Sequence, residues 1–412
     1  MASIQERNGK YQIKVSNGRD LNGKQIIETA TFTPDPNKTK KQNEKALQKF
    51  ALDFEETVKT GEILKGDKVT FAKFSELWLK EYAEKQMEKT SVESNEDFLK
   101  WYILPYMGHI KLGDIKPLDI KAVYGKLQER GLSSSTVKRV SNTISSMLSC
   151  AVDWQLIKEN PCKRVKKPKE ERQKEVEHFS PEEALTFLDY IEEPYTVKHG
   201  GRGEKMKDVI DIRREPLQLI TLFNLALYTG ARRGELLALR WEDIDFENHI
   251  VKINKSLAKT KKDGYFIKTT KNSTSDREVS IPEECENLLK RLKLEQKEKK
   301  FSLGTAWQGQ GNIFTRENGY YMDIATPRKS LQRIIERYND THEDKLPLIT
   351  FHGVRHTSAT LLITQSDIDI KTVSARLGHA KVSTTLDIYT HALKERDEKA
   401  GEALANILKR HA

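Results

Sequence analysis

Four short clusters in the second half of the chain hold side chains that could do chemistry together. They are Thr229–Glu235, with Arg232 and Glu235; Lys268–Arg277, with Lys268 and Lys271; Thr350–His356, with His352 and Arg355; and Leu377–His391, with His379 and Tyr389. Guanidinium groups donate paired hydrogen bonds to phosphate oxygens. A tyrosine hydroxyl becomes a nucleophile when a base or a strong positive field promotes its ionisation. Attack on a phosphodiester is the chemistry that such a set would suit.

Each cluster taken alone also has an ordinary explanation. Arg232 and Glu235, three residues apart, would form a surface ion pair worth under about 1 kcal/mol. A lysine on a hairpin turn, such as Lys271, is normally exposed to solvent and has no catalytic role. Most tyrosines placed like Tyr389 are half-buried helical side chains. The order and spacing of the whole set therefore matter more than any single member.

A metal site is the main competing interpretation of the third cluster. His352 and His356 stand four residues apart, a spacing that some zinc-binding helices use. Such helices carry a glutamate after the first histidine, whereas this chain has Gly353, and the charge of Arg355 between the two rings would repel a cation. The sequence has no Cys-x-x-Cys pair. We expect no metal site.

The charge of the chain predicts a polyanionic partner. Its 412 residues include 71 Lys and Arg against 61 Asp and Glu, a net charge of +10, and the pI is near 9.1. Nucleic acids and anionic membranes are the common polyanions. The longest apolar stretch, Leu219–Tyr228, covers only about half a bilayer, and Met1–Arg7 lacks the apolar core of a secretory signal. Three widely spaced cysteines indicate reduced thiols, so we expect a cytoplasmic protein without a membrane partner.

The N-terminal region, residues 1–62, predicts a small sheet covered by one helix. Apolar and polar residues alternate over Tyr11–Val15 and Ile27–Thr31, and Pro34–Pro36 ends this pattern. A lysine-rich helix follows between Lys38 and Lys59, with an apolar face expected at Ala46, Phe50 and Phe54. A unit of this size suits nucleic-acid binding or a plain interaction module.

Residues 68–162 predict an all-helical bundle. Its apolar faces are expected at Phe71, Phe74, Leu77 and Trp78; at Phe98, Trp101 and Tyr102; at Leu118, Ile120, Val123, Tyr124 and Leu127; and at Val137, Val140, Ile144, Met147, Leu148 and Ala151. Ser133–Ser135 predicts the N-terminal cap of the last helix. The aromatic residues repeat with the aliphatic ones, which favours a core over a base-stacking surface.

A basic linker over residues 163–176 separates the bundle from a longer domain. Its cationic side chains are Lys163, Arg164, Lys166, Lys167 and Lys169. It could be a solvated tether or could lie along DNA phosphates. Residues 177–412 then mix helix and strand, starting with a predicted cap at Ser180, and residues 192–214 form an insertion of unassigned role.

The series Arg, Lys, His-x-x-Arg, Gly-His and Tyr, in this order, resembles the tyrosine recombinases over the region from Ser180 to His391. The family's core motifs match Arg232, Lys271, His352, Arg355, His379 and Tyr389, with Glu235 at the accessory acidic position. Lys268, which precedes Thr269, remains an alternative to Lys271 as the motif lysine.

The resemblance implies a role for each matched residue. Arg232, Arg355 and His379 would hold the scissile phosphate, His352 would assist proton transfer, and Lys271 would protonate the departing 5′ oxygen. Tyr389 would attack phosphorus and form a 3′-phosphotyrosine, which conserves a phosphodiester bond for resealing. Such a reaction requires neither ATP nor a metal ion, so we expect no cofactor.

The resemblance also implies a multidomain fold class: a small α+β N-terminal arm-binding domain, an all-α core-binding bundle and a mainly α (α+β) catalytic domain. The partners implied are double-stranded DNA at core and arm sites, further copies of the chain in a tetramer, and accessory excision and DNA-bending proteins. An arm-binding module favours an integrase of a phage or conjugative transposon over a chromosome-dimer resolvase. A type IB-like topoisomerase and a noncatalytic DNA-binding factor remain alternatives. The C-terminal apolar stripe, Ala400–Leu408, could pack in cis or on a neighbouring protomer.

Overall fold

The computed structural model forms two compact units, Met1–Arg172 and Gln173–Ala412. It describes residues 3–7, 9–19, 25–36, 38–59, 69–167, 177–199, 209–269, 276–365 and 368–379, together with 382 and 386. The division falls inside the predicted linker, while the predicted boundary between the arm-binding domain and the bundle stays a prediction. None of the described helices combines the length and apolar character needed to cross a membrane.

A three-stranded antiparallel sheet and one helix open the first unit. The elements are β1 (Ser3–Arg7), β2 (Lys10–Arg19), β3 (Gln25–Phe32) and α1 (Lys40–Lys59), and the strand order is β1-β2-β3. Alternation along β2 buries Ile13 and Val15 beneath α1, as the period-two pattern predicts.

The face that α1 turns to the sheet differs from the predicted one. The buried residues of α1 are Leu47, Ala51 and Val58, with Phe54 partly buried beside them. Phe50, predicted inside, is 37% exposed and only its ring reaches Phe32, 5.6 Å away. The buried stripe runs from Leu47 through Ala51 and Phe54 to Val58, at steps of four, three and four residues. The predictions at positions 46 and 50 were therefore displaced by one residue, while Phe54 lies on the packed face as predicted.

The rest of the first unit is the predicted helical bundle. Its elements are α2 (Phe71–Trp78), a π turn (Leu79–Ala83), α3 (Glu84–Gln86), α4 (Lys89–Phe98), a second π turn (Leu99–Ile103), α5 (Leu104–Met107), α6 (Pro117–Glu129) and α7 (Ser134–Asp153). Ser133 caps α7 by accepting a hydrogen bond from the Thr136 amide, as its position predicts. The expected apolar face of α7 is buried.

Three side chains predicted inside this bundle are exposed: Leu77 by 43%, Trp101 by 55% and Leu118 by 73%. Trp101 lies within the second π turn, where an extra residue rotates the helix face, so Leu99 and Ile103 point inward instead. Leu118 stands two residues before the buried Ile120, about 200° around the helix from it.

The predicted linker begins too early, because its first residues belong to the bundle. Pro161–Arg164 forms a 3₁₀ turn capped by Asn160, and Val165 packs against the bundle core. The Lys167 ammonium donates to Asn142 Oδ1 at 2.8 Å. The cationic side chains at 163, 164, 166 and 167 are nevertheless exposed. Lys169 lies outside the described residues.

The second unit is built around a helix that is buried on nearly all sides. Its helices are α8 (Pro181–Glu192), α9 (Leu217–Thr229), α10 (Arg233–Ala238), α11 (Glu283–Leu303), α12 (Thr326–Thr341), α13 (Phe351–Gln365) and α14 (Ile370–Leu377). α9 is surrounded by α8, α10, α11, α12 and α13. Helix α8 begins at a reciprocal cap between Ser180 and Glu183, as predicted.

Small antiparallel sheets complete this unit. The strands are β4 (Tyr195–His199), β5 (Val209–Arg213), β6 (Ile244–Asp245), β7 (Ile250–Ile253), β8 (Lys255–Thr260), β9 (Gly264–Thr269) and β10 (Arg277–Ser280). They form the sheet β10-β7-β6 and the hairpins β4-β5 and β8-β9. The predicted hairpin turn around Lys271 is therefore wrong, because β9 and β10 belong to different sheets.

The predicted surface insertion contains the hairpin β4-β5, in which Tyr195 pairs with Arg213. The Arg337 guanidinium lies 3.6 Å from the centre of the Tyr195 ring. Arg333 and Arg337 both donate to the fully buried carboxylate of Glu215, which follows the hairpin. These contacts fix the base of the hairpin on α12.

Candidate active site

The first motif lies where α9 ends and α10 begins. Gly230 ends α9 with a left-handed backbone (φ +60°), and Arg232 is the residue before the first turn of α10. A Cβ on Gly230 would stand 2.5 Å from Leu377 Cδ2 and 3.2 Å from Ser358 Oγ. Glycine is required here both for the conformation and for the close approach of α13 and α14.

Glu235 forms a buried ion pair rather than the surface pair of the ordinary explanation. Its carboxylate accepts hydrogen bonds from the Arg232 amide, Arg232 Nη1 and Arg277 Nη2, at 2.9, 2.9 and 2.8 Å. Its side chain is 4% exposed, against 42% for Arg232. Burial raises the pKa of Glu235, but the bonds and charge of Arg277 and then of Arg232 outweigh burial and hold the pKa below its ordinary value.

Helix α13 brings the third motif to the same loop. Thr350 accepts from the Gly353 amide at the helix start, which fixes the turn that carries His352 and Arg355. Arg355 is 3% exposed, and its Nη1 donates to the Gly230 carbonyl oxygen at 2.8 Å. The His352 ring is open to solvent on one side, yet the surrounding protein and the charges of Arg355 and Arg232 lower its pKa.

The fourth motif closes the site from α14. Asp369 caps this helix, and Gly378 ends it with φ +68°. The Gly378 carbonyl accepts from Arg232 Nη2 at 3.3 Å. Burial, followed by the charges of Arg355 and Arg232, lowers the pKa of the neighbouring His379 to about 4. The four residues Arg232, His352, Arg355 and His379 are thus brought together.

Two predicted residues lie outside the described part of the chain. Lys271 and Tyr389 are both in segments that the structure does not describe, so their roles stay predictions. The alternative lysine, Lys268, lies on β9 opposite Ser256, with its ammonium 6.0 Å from the centre of the Phe266 ring.

Two residues near the site were missed as contributors by sequence reasoning. Arg277, named above only as the end of the second cluster, donates a hydrogen bond to Glu235. It lies on the same face of β10 as Val279, and this odd-numbered face is the buried one, which was the available signal. His356, weighed only as a metal ligand, packs its ring 4.8 Å from that of His352. Burial, then the charges of His352, Arg355 and His178, lower the pKa of His356 to about 4.

Comparison with known proteins identifies two matching family models. The Phage integrase family model matches residues 202–396, a span that contains all six predicted catalytic residues. The model for the phage integrase N-terminal SAM-like domain matches residues 70–128, within the helical bundle.

A relative of similar length decides the family. The tyrosine recombinase XerC-like protein of Caldanaerobacter subterraneus subsp. tengcongensis is 30% identical over 420 residues, which cover 97% of each chain. The chain belongs to the tyrosine recombinase family. Family membership confirms the recognition made from the motifs, the multidomain fold class and the enzyme class.

Two further proteins share this architecture. The ICEBs1 integrase of Bacillus subtilis is 28% identical over 402 residues, or 97% of this chain and 98% of the relative. The solved Tn1549 transposon integrase, in complex with a circular intermediate DNA, superimposes with a TM-score of 0.63 at 20% identity, covering 81% of this chain and all of that one. The tyrosine recombinase fold therefore extends over the helical bundle and the catalytic unit.

Proposed function

We propose that this tyrosine recombinase is the integrase of a mobile element, which cuts and rejoins duplex DNA at specific sites to integrate and excise that element. The observation that carries the proposal is that the start of α10, the first turns of α13 and the end of α14 bring Arg232, His352, Arg355 and His379 together, so that two guanidiniums and two imidazoles lie near one another. The integrase name of the Bacillus relative and the transposon origin of the similar structure favour a mobile element over a resolvase.

The proposed cleavage step exchanges one phosphodiester bond for another. The Tyr389 oxygen attacks phosphorus, the bond from phosphorus to the 5′ oxygen breaks, and Lys271 gives that oxygen its proton. Arg232 and Arg355 offset the charge that builds up on the non-bridging oxygens, with His379 as a third donor. Resealing is the reverse, since a 5′ hydroxyl attacks the phosphotyrosine and expels Tyr389.

The charges of the site suit proton transfer from the nucleophile. A phenol is only about 0.1% ionised at pH 7, so it needs a base. Burial and the charges of Arg355 and Arg232 lower the pKa of His352, which favours its neutral form, and a neutral imidazole accepts a proton. A bound phosphate would offset the guanidinium charge and let His352 keep that proton.

The remaining parts of the chain fit the same proposal. Residues 1–62 would bind arm sites, residues 68–162 would bind the core site, and the basic residues of the linker would cross the DNA backbone. Exchange between two duplexes needs four strand cuts with one tyrosine each, which favours a tetramer on DNA. Excision and DNA-bending proteins would set the direction, and the reaction would take place in the cytoplasm.

A two-site joining assay tests this function. The purified chain is incubated with supercoiled DNA carrying the element's joined ends and with a linear duplex carrying the target site. We expect recombinant product with the wild type and none with Tyr389→Phe, at unchanged DNA affinity. Relaxation of supercoils without recombinant product would favour a topoisomerase. Equal behaviour of wild type and Tyr389→Phe would favour a noncatalytic factor.

A further inference from the structure

Arg277 is a buried arginine that lies beside the candidate active site and is not one of the six matched catalytic residues. It begins β10, whose next inward residue, Val279, is part of the hydrophobic core. The Arg277 side chain is 6% exposed. A buried guanidinium is costly unless its donors are used, so the partners of Arg277 indicate what it holds.

The partners of Arg277 come from two different helices, α10 and α14. Its Nη2 donates to Glu235 Oε2 at 2.8 Å, and its Nε donates to the carbonyl oxygen of Arg376 at 2.7 Å. Arg376 stands in the last turn of α14, two residues before Gly378. A single planar group therefore ties the first turn of α10 to the end of α14.

Arg232 closes this arrangement into a ring of hydrogen bonds. Arg232 donates to Glu235 Oε1 and to the Gly378 carbonyl, while Arg277 donates to the other oxygen of Glu235 and to the carbonyl two residues earlier. A Cβ on Gly378 would stand 2.8 Å from Arg277 Nη1, so the turn lies directly on the guanidinium. His379 follows that turn, with its amide bonded to the Ser374 carbonyl.

We propose that Arg277 is a positioning residue for DNA strand cleavage. It holds the Glu235 carboxylate and the Arg376–Gly378 turn, and thereby fixes the orientation of the Arg232 and His379 side chains. The proposal rests on the proposed function, since it concerns the same phosphate. Arg277 itself is not placed against DNA. A lysine at 277 would keep the charge, but its single ammonium nitrogen cannot replace both Nη2, which donates to Glu235, and Nε, which donates to the Arg376 carbonyl.

This ring of hydrogen bonds also predicts a distinctive pH dependence for cleavage. Without the Arg277 charge, burial would raise the pKa of Glu235, and a protonated Glu235 would release Arg232. Helix α9, which packs on α10, contains no charged residue. Among the described residues on the packed strand β8 and on α14, Lys255 pairs with Asp243, Lys259 pairs with Asp323, and Arg376 donates to the carbonyls of Tyr228 and Ser280.

The test compares two Arg277 variants with a matched variant elsewhere in the unit. Arg277→Lys keeps the charge and Arg277→Gln removes it. The control is Arg337→Lys, which weakens the contacts of another buried carboxylate, Glu215, that is also bridged by two arginines. Within the described residues, Arg337 contacts Glu215, Tyr190 and Tyr195. Formation of the covalent adduct is followed in a single turnover on a nicked suicide duplex between about pH 5 and pH 9. Melting midpoints and DNA affinities are measured for every protein, and cleavage is assayed well below each midpoint.

We expect both Arg277 variants to bind DNA normally and to cleave roughly 10- to 100-fold more slowly. In Arg277→Gln the acid limb of the profile should move to higher pH. Arg337→Lys should melt at a lower temperature yet keep the wild-type rate and profile. Wild-type rates and profiles in both Arg277 variants, or equal losses in the control, would overturn the positioning role alone. A wild type that forms no adduct would instead overturn the proposed function and, with it, this inference.

Discussion

Arg355 Nη1 donates a 2.8 Å hydrogen bond to the carbonyl oxygen of Gly230, 125 residues earlier in the chain. The bond joins the His-x-x-Arg helix to the loop that carries Arg232. Gly230 can accept it because its left-handed backbone turns the chain at the end of α9, where Leu377 leaves no room for a side chain. Three motifs therefore meet at a residue that has no functional group of its own.

Gly230→Ala should damage stability and cleavage together. Gly264→Ala is the matched control, since Gly264 has a similar φ of +67° but nothing within 4 Å of an added Cβ. Both changes carry the backbone cost of about 1 kcal/mol, and Gly230→Ala adds crowding against Leu377. We expect a free-energy loss at least 1 kcal/mol larger for Gly230→Ala in chemical denaturation, and cleavage lost in that variant alone. Equal losses in both variants would show that crowding at this loop is unimportant.

The identity of the leaving-group acid can be tested with a sulfur substitution. Lys271→Ala should slow cleavage of ordinary DNA by roughly 10²- to 10⁴-fold. A substrate whose 5′ bridging oxygen is replaced by sulfur should restore the rate, because a thiolate with a pKa near 8.5 leaves without a proton donor. Lys268→Ala should cleave both substrates normally. Rescue of Lys268→Ala instead of Lys271→Ala would reassign the acid.

Burial of His356 should make folding stability depend on pH. The pKa of His356 falls from an ordinary 6.5 to about 4 in the folded chain, so the unfolded state binds the proton first as the pH drops. Its contribution is present above about pH 6.5 and is lost as the pH falls towards 4, an effect of up to about 3 kcal/mol. Unfolding curves of wild type and His356→Gln should therefore converge over this range. A constant difference between them would contradict the assignment.

The exposed lysines at the end of the bundle should contact DNA phosphates. The double change Lys163→Gln and Lys166→Gln should weaken DNA binding for all sequences alike and reduce the slope of log affinity against log salt by about 2. Lys126→Gln is the control, because that ammonium already pairs with Glu129 at 3.2 Å. Titrations at several salt concentrations measure both slopes. An unchanged slope in the double variant would remove this segment from the DNA interface.

Residue order and type were sufficient to select four residues that the structure then brings together. Arg232, His352, Arg355 and His379 lie on helix ends and turns whose caps are local, so glycine and threonine at fixed offsets already indicate where the chain bends. Their meeting depends on the burial of α9, whose apolar run Leu219–Tyr228 is interrupted by Thr221 and Asn224.

Features that depend on long-range partners could not be predicted in the same way. The role of Arg277 depends on Glu235, 42 residues away in another element. Trp101 was misplaced because a π turn shifts the helix face, and no local pattern in the sequence marks the extra residue. The hairpin expected at Lys271 was wrong because strand pairing is a property of the sheet and not of the loop between two strands.

Trapping the covalent intermediate tests the central claim most directly. The chain is incubated with a nicked suicide duplex carrying the element's end, the adduct is digested, and the modified peptide is identified by mass. We predict a nucleotide attached through its 3′ phosphate to Tyr389, and no adduct in Tyr389→Phe. Attachment to any other residue, or an adduct of equal yield in Tyr389→Phe, would contradict the account.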